Sequence, residues 1–406
     1  MNKKKKLKIA IISSTYLPSI GGSQIGIHNI CLGLIKLGHE PIIIIPYGCY
    51  RKLKKQKWSL SYKIIPLPPK ILRLYFFLPD IFIYFIKNYL KLLNLYFNFD
   101  FWIANMAYPS GVVLSRTFPK LKNNFTSVLC PGEDIQIDYE INYGLRIDKK
   151  INNQVTKYLP NINNFIALTE SVKLEFSKLG INSKIIHEIP YGVNSDDLLI
   201  KEDKIILRTK HNIDKKKFIF LCVGRNHPKK NFQLLNKIVS HLKNKNLNQK
   251  FQIIVIGKDS SLLQDDIIKS ENEKYFLLRE EIGSLDKKNP KFPSTLLSEY
   301  YNLSDCFLFP SNLETFGIVL VEAMMTGLPV ITTNAPGCKD VVRNLTDGLV
   351  FDKNDYKSAA NLMQTLINNK NNSMEDYKIK SIQRSSNFSI LSIAKMYENL
   401  ILKTNK

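Results

Sequence analysis

Apolar and polar positions alternate along the chain in blocks. Residues 7–14 form a short apolar run, 15–22 a loop, 23–37 an amphipathic stretch that stops at Gly38, and 41–46 a second apolar run. That order predicts strand, loop, helix, strand, and the right-handed crossover rule makes the two strands parallel. Runs at 101–104, 127–129, 165–168 and 185–189 have the same buried-strand character, with helical spacing between several of them. After Tyr191-Gly192-Val193 the sequence turns polar through Lys204, and then the pattern restarts. A strand at 218–223, a loop at 224–231, a helix at 232–242 and a strand at 251–256 follow, with later strands at 306–309, 329–332 and 348–351. Ile390, Ile393, Ala394, Tyr397, Leu400 and Ile401 mark a last helix with one apolar face. The expected fold is α/β: two doubly wound domains, 1–193 and 204–387, joined near 192–204, with a terminal helix at 388–406.

At 406 residues, the chain is long enough for two or three domains at ~150 residues each. Its 58 Lys+Arg against 35 Asp+Glu give a formal charge of +23, which favours anionic partners. The lysines are scattered, and Asn and Ile are also abundant, so a codon bias accounts for much of the excess. A nucleic-acid interface, which needs clustered basic and aromatic positions, is not expected. The six cysteines form no CxxC and several sit in apolar runs, so they are expected to be reduced and buried, as in a cytoplasmic protein. No HxH, HExxH or DxD occurs, so no metal is expected. Lys3 to Lys6 run into an apolar segment too short for a signal peptide and without a cleavage pattern; it is taken as the first strand.

Residues 71–99 are rich in Leu, Ile, Phe and Tyr but are interrupted by Arg73, Pro79, Asp80, Lys87 and Lys91, so they cannot span a bilayer. Leu78, Ile81, Phe82, Phe85, Tyr89, Leu92, Leu93 and Tyr96 recur at three- and four-residue steps, with Lys87, Lys91 and Asn94 on another face. Two readings fit: a helix covering a sheet, or a basic, aromatic face resting on the inner face of an anionic membrane.

In open α/β sheets, ligands sit at the carboxyl ends of the strands. Three loops there carry candidate chemistry. Pro18-Ser19-Ile20-Gly21-Gly22-Ser23 opens the first helix, and its glycines let backbone amides approach a bulky or anionic ligand. It is not GxGxxG, and no acidic residue ends the next strand, so NAD is not expected. Gly224-Arg225-Asn226-His227-Pro228-Lys229-Lys230-Asn231 sets fixed cations beside a helix start. At ~4 Å and an effective dielectric of ~20, each cation–anion contact has a gross attraction of about 4 kcal/mol, against roughly 0.3–1 kcal/mol for a helix end. Diphosphate recognition by the cations is the natural reading. The third segment runs from Glu314-Thr315-Phe316-Gly317 to Glu322. A helix starting near Thr315 or Phe316 would leave the amides of Phe316 and Gly317 for phosphate oxygens. A carboxylate beside an anion site makes sense if it hydrogen-bonds hydroxyls, as sugars and riboses provide.

Together these residues resemble the retaining glycosyltransferases of family 4, with the GT-B fold of two Rossmann-like domains facing across a cleft. The likeness is strongest from 164 to 351. It includes Ile166-Ala167-Leu168-Thr169-Glu170-Ser171, Ile189-Pro190-Tyr191-Gly192-Val193, Val223-Gly224-Arg225 with Lys230, Glu314 with Glu322, and Glu322-Ala323-Met324-Met325-Thr326-Gly327-Leu328-Pro329-Val330-Ile331. The resemblance implies a nucleotide-sugar donor, UDP- or GDP-linked, held mainly by the second domain. Arg225 and Lys230 would bind its diphosphate with the amides of Phe316 and Gly317. Glu322 would hold ribose hydroxyls, Glu314 would orient the transferred sugar, and Gly21 and Gly22 would line the cleft from the first domain. The terminal helix would cross back onto that first domain. It further implies transfer with retention, without a metal or other cofactor, to a glycan or lipid-linked acceptor in cell-surface polysaccharide synthesis. The base and sugar would be chosen by loops including Ile282-Gly283-Ser284.

One loop departs from the family pattern. Where many relatives have His-Gly-x-Asp, the chain has Cys130-Pro131-Gly132-Glu133-Asp134, with proline in the histidine's place. Asp134 is left an orienting or acceptor-side role. The alternative is a catalytically impaired, donor-binding homologue acting as a partner in polysaccharide assembly.

Overall fold

A computed structural model describes residues 5–119, 126–243, 245, 250–280, 290–368 and 373–404. The chain divides into two compact units, one of residues 1–192 with 390–406, the other drawn from 193–389.

In the first unit, seven strands form one parallel sheet: β1 (Lys8–Ser13), β2 (Glu40–Pro46), β3 (Lys63–Leu67), β4 (Phe101–Asn105), β5 (Thr126–Leu129), β6 (Asn164–Ala167) and β7 (Ile186–Glu188). Their order is β3-β2-β1-β4-β5-β6-β7. Ile9 to Ile12 on β1 and Ile42 to Ile45 on β2 are buried without alternation, because helices cover both faces of the sheet. The order reverses between β1 and β4, so the loops leaving those two strands flank the switch point where doubly wound sheets bind ligands.

The helix Gly22–Lys36 follows β1. Gly21 in extended conformation precedes it, and Gly38, at φ 87°, lets the chain turn out of it. Ile27, Ile30, Cys31 and Leu34 are buried along it. The terminal helix Ile390–Thr404 packs on it through Ile393, Ala394, Tyr397 and Ile401. His39 ties the two ends of the unit together. Its Nδ1 accepts from the Leu7 amide (3.3 Å), which leaves the proton on Nε2 to be donated to Glu398 Oε1 (2.8 Å).

The second unit repeats the plan with β8 (Phe218–Val223), β9 (Phe251–Ile256), β10 (Phe276–Arg279), β11 (Cys306–Phe309), β12 (Val330–Thr333) and β13 (Leu349–Phe351), again all parallel, in the order β10-β9-β8-β11-β12-β13. Here the switch point lies between β8 and β11. The segment taken from sequence as a polar joint belongs to this unit. It forms the short helix Ser195–Leu198, whose Asp197 and Leu198 carbonyls accept from Ser298 and Asn302, each at 2.8 Å.

Two strands were not anticipated, β3 and β10, and both are sheet edges. The helix Pro79–Phe97 also corrects an expectation: most of the stripe with helical spacing points to solvent, and the side that enters the core carries Ile83, Ile86 and Leu90. No described helix is long and apolar enough to cross a membrane. Five cysteines are buried and Cys49 partly so, all as free thiols.

Candidate functional site

The richest cluster of polar side chains predicted from sequence lies at the carboxyl ends of β8 and β11. The loop after β8 begins at Gly224, whose φ of 153° only glycine adopts freely. It is clamped to the loop after β9 by the Gly224 amide on the Ile256 carbonyl and the Asn226 amide on the Lys258 carbonyl, at 2.9 and 2.8 Å. The turn Pro228–Lys230 then brings the Lys229 carbonyl against the loop after β11, where it accepts from the Asn312 amide (2.7 Å) and Ser311 Oγ (2.8 Å). Residues 82 to 84 positions apart in sequence are thus fixed side by side.

Lys230 donates to Glu314 Oε1, and Ser311 Oγ donates to the same oxygen at 3.2 Å. The Lys230 Nζ also lies 4.7 Å from the centre of the Phe309 ring, a cation–π position. Burial by itself would raise the Glu314 carboxyl, but Lys230 and Lys229 and the two hydrogen bonds outweigh it and hold it below the usual carboxylate range. Glu314 is therefore a buried, ionised acceptor. Its backbone is pinned as well: its amide donates to the Pro336 carbonyl at 3.0 Å, and Gly337, at φ 79°, approaches so closely that a Cβ there would collide with the Glu314 carbonyl oxygen.

The helix after this loop is Ile318–Met325, two to three residues later than the sequence indicates, with Gly317 as its N-cap at φ 75°. That is a correction to the start near Thr315 or Phe316. Phe316 is buried, with its ring 5.6 Å from Phe388, and the amides of Gly317, Ile318 and Val319 at the helix start have no partner within the helix. Glu322 sits one turn further in. Its Oε2 accepts from the buried Tyr301 hydroxyl at 2.7 Å, and among the described residues its other oxygen accepts nothing. Burial pushes its carboxyl up to about 7, with the Tyr301 hydrogen bond opposing. Arg225 is exposed and has no ion pair or hydrogen bond among the described residues, so its charge is uncommitted. His227, by contrast, is shifted down by burial and by Arg225, Lys229 and Lys230, so it adds no charge near neutral pH.

The first unit's candidates lie apart in sequence and are held by different elements. The glycine loop is anchored by Asn105 at the end of β4, whose Nδ2 donates to Ser13 Oγ and Ser23 Oγ at 2.9 and 3.0 Å. Gly21 and Gly22 follow at the helix mouth. Asp134 is fully buried. Its Oδ2 accepts from the Ala107 amide (2.6 Å) and its Oδ1 from the Gly132 amide (2.9 Å), so the carboxylate pins the loop after β5 to the turn after β4. Burial raises it to about 6 while those amides pull the other way. Its present contacts position a loop and do not reach solvent. Ile282-Gly283-Ser284 lie outside the described residues.

Sequence reasoning did not find Ser311, Tyr301 or Gly337. Gly337 stands after a strand and before a short helix, a signal that could have marked it; Ser311 and Tyr301 carry none, because a serine three residues before a glutamate is no pattern and Tyr301 meets Glu322 only in the folded chain. Among the described residues, no group of three or more His, Cys, Asp or Glu is placed to hold a metal ion.

Comparison with known proteins agrees with this architecture. Residues 203–384 match the model of the family described as glycosyl transferases group 1. The chain is 24% identical over 372 residues to an alpha-monoglucosyldiacylglycerol synthase from Acholeplasma laidlawii, covering 86% of each chain. It is 34% identical over 161 residues to the capsular polysaccharide biosynthesis glycosyltransferase CapM of Staphylococcus aureus, covering 34% of this chain and 42% of that one. The crystal structure of Anabaena HepE in complex with UDP superposes with a TM-score of 0.74 at 15% identity, over 98% of this chain and all of that one. The fold is GT-B.

Proposed function

We propose, from the match of residues 203–384 to the model of the glycosyl transferases group 1 family, that the chain is a retaining glycosyltransferase, moving a sugar from a nucleotide-sugar donor to a glycan or lipid-linked acceptor in cell-surface polysaccharide or glycolipid synthesis. The observation that carries this reading is the Lys230–Glu314 pair just before the start of helix Ile318–Met325. A cation and free amides suit a phosphate, and an ionised carboxylate within reach of them suits a hydroxyl-rich group attached to that phosphate. Few ligands other than a nucleotide sugar combine the two.

In the proposed reaction, the bond from the anomeric carbon to the diphosphate breaks as the acceptor oxygen bonds to the same carbon on the same face, and the acceptor's proton passes to the departing phosphate oxygen. Negative charge grows on the diphosphate, and preformed positive groups lower the barrier most where charge develops. We assign that role to Arg225 and Lys230 with the amide of Gly317 and the residues flanking it, including Phe316. The arrangement draws its counter-charge from side chains and calls for no metal or other cofactor. Glu314 orients the transferred sugar, and the unoccupied oxygen of Glu322 takes a ribose hydroxyl. On the first unit by itself, the bare backbone of Gly21 and Gly22 suits the close approach of a ligand, and Asp134 acts through the loop that it holds. A uridine donor is supported by the UDP in the HepE structure, and a lipid acceptor by the name of the Acholeplasma relative.

The test is binding and turnover across UDP-, GDP- and ADP-sugars, with Arg225→Ala and Glu314→Ala alongside. Selective binding with slow donor hydrolysis that both variants lose supports the transferase. Binding without hydrolysis or transfer to any offered acceptor favours the impaired homologue that Pro131 raises. No binding to any nucleotide sugar overturns the donor site.

A further inference from the structure

Helix Pro79–Phe97 is apolar on two sides, and the first unit uses only one of them. Ile83, Ile86 and Leu90 are buried in its core, while Ile81, Tyr84, Phe85, Leu92, Leu95 and Tyr96 are 58–80% exposed. At about 100° per residue, those six fall within roughly 120° of arc along about 22 Å of helix, with exposed Asn88 the one polar residue among them. The stripe continues into Phe77 and Leu78 at the end of the preceding helix Ile71–Phe77, which are 67% and 50% exposed. Single exposed apolar residues are ordinary; eight large ones gathered on this one segment are not.

The charges around the band identify what it meets. Lys87 and Lys91 flank it on one side, and Lys70 and Arg73 are exposed on the approach to it. Asp80 is the single acidic residue between 70 and 97, and it is already paired with Arg116 at 3.1 Å. The helix cannot cross a bilayer, since Asp80, Lys87 and Lys91 interrupt it. A second copy of the chain would bring the same cations together with no acidic group to answer them. We propose that this face lies in the interface of an anionic lipid bilayer, with the rings and leucines among the acyl chains and the lysines at the phosphates. The mixture of Tyr and Phe with Leu, beside a lysine flank, suits a boundary that is apolar on one side and wet on the other. This inference does not depend on the donor chemistry, because vesicle binding needs no nucleotide sugar.

The experiment is co-sedimentation of the full chain with vesicles of phosphatidylglycerol and phosphatidylcholine, against vesicles of phosphatidylcholine alone. Wild type is expected to bind the anionic vesicles and to lose binding as salt is raised. Leu92→Ser/Tyr96→Ser removes two largely exposed side chains and should weaken binding by about tenfold or more. Lys87→Gln/Lys91→Gln should weaken it by about fivefold per lysine on anionic vesicles only. Both variants should keep the wild-type melting temperature, which separates lost binding from lost folding. Equal binding to both vesicle types, or variants that bind like wild type, overturns the proposal. So does a dimer in sedimentation velocity that Leu92→Ser/Tyr96→Ser dissociates, since the band would then be covered by a second copy.

Discussion

Gly33 lies directly against the carbonyl oxygen of Ile390, with no room for a side chain between them: a Cβ at Gly33 would collide with that oxygen and come within 2.9 Å of the Ala394 Cβ. The first turn of the terminal helix is seated on this bare stretch of helix Gly22–Lys36. Gly33→Ala should therefore cost about 1–3 kcal/mol through overpacking and make the terminal helix easier to cleave in limited proteolysis. Gly48→Ala, where a Cβ would meet nothing within 4 Å, is the control and should melt like wild type. Equal melting temperatures for the two variants would show that the terminal helix docks loosely.

Lys230 and Glu314 are both largely buried, so removing one leaves the other's charge without compensation. Lys230→Met is expected to cost about 3–5 kcal/mol at pH 7, and Lys230→Met/Glu314→Gln should recover much of it. Because the folded Glu314 carboxyl sits below its usual value of 4.5, the pair's contribution is complete above that pH and is lost on further acidification. Denaturant titrations at neutral and acid pH measure both effects; additive losses in the double variant would rule out the coupling.

Glu322 titrates in the opposite sense. Its folded carboxyl is raised from 4.5 to about 7, so the fold holds this proton more tightly than the unfolded chain does. The resulting stability is full below 4.5 and is lost as pH rises through 7. Glu322→Gln keeps an acceptor for Tyr301 and cannot ionise, so it should flatten this part of the pH profile and melt above wild type at about pH 8. Parallel profiles for the two proteins would contradict it.

Asp134 serves two amides with two oxygens. Asp134→Asn replaces one oxygen with an NH2 group facing an N–H, which should cost about 1–3 kcal/mol. Hydrogen exchange at the amides of Ala107 and Gly132 should quicken, while the second unit's amides keep their protection. Unchanged exchange at those two positions would mean the loop is held by other contacts.

Much of the fold was legible in the sequence because both sheets are buried on both faces and leave unbroken apolar runs. The run at 218–223 coincides with β8, and the run at 306–309 with β11. The strands that escaped are edges. β3 carries Pro66, tolerated where only one neighbour needs its hydrogen bonds, and β10 ends at Arg279 against β9 alone. Helix Pro79–Phe97 misled for a different reason: periodicity reveals an apolar stripe but not which stripe the core takes when a helix has two. At the site, Arg225, Lys230, Glu314 and Glu322 were visible as chemistry, whereas the partners that fix them were not. Tyr301 reaches Glu322 from a neighbouring helix, and the Ala107 amide reaches Asp134 across 27 residues, so only the folded chain brings them together.

The helix Ile390–Thr404 has a consequence for biosynthesis. The first unit to emerge from the ribosome is the last whose sequence is complete. At ~5–20 residues per second, roughly 10–40 s separate the synthesis of Gly192 from that of Thr404. Throughout that interval, the groove at Gly33 has nothing to fill it, while the residues of the second unit are becoming available in one uninterrupted stretch. The order of completion is thus the reverse of the order of translation, and a released chain ending at residue 389 should hold a finished second unit and an unfinished first.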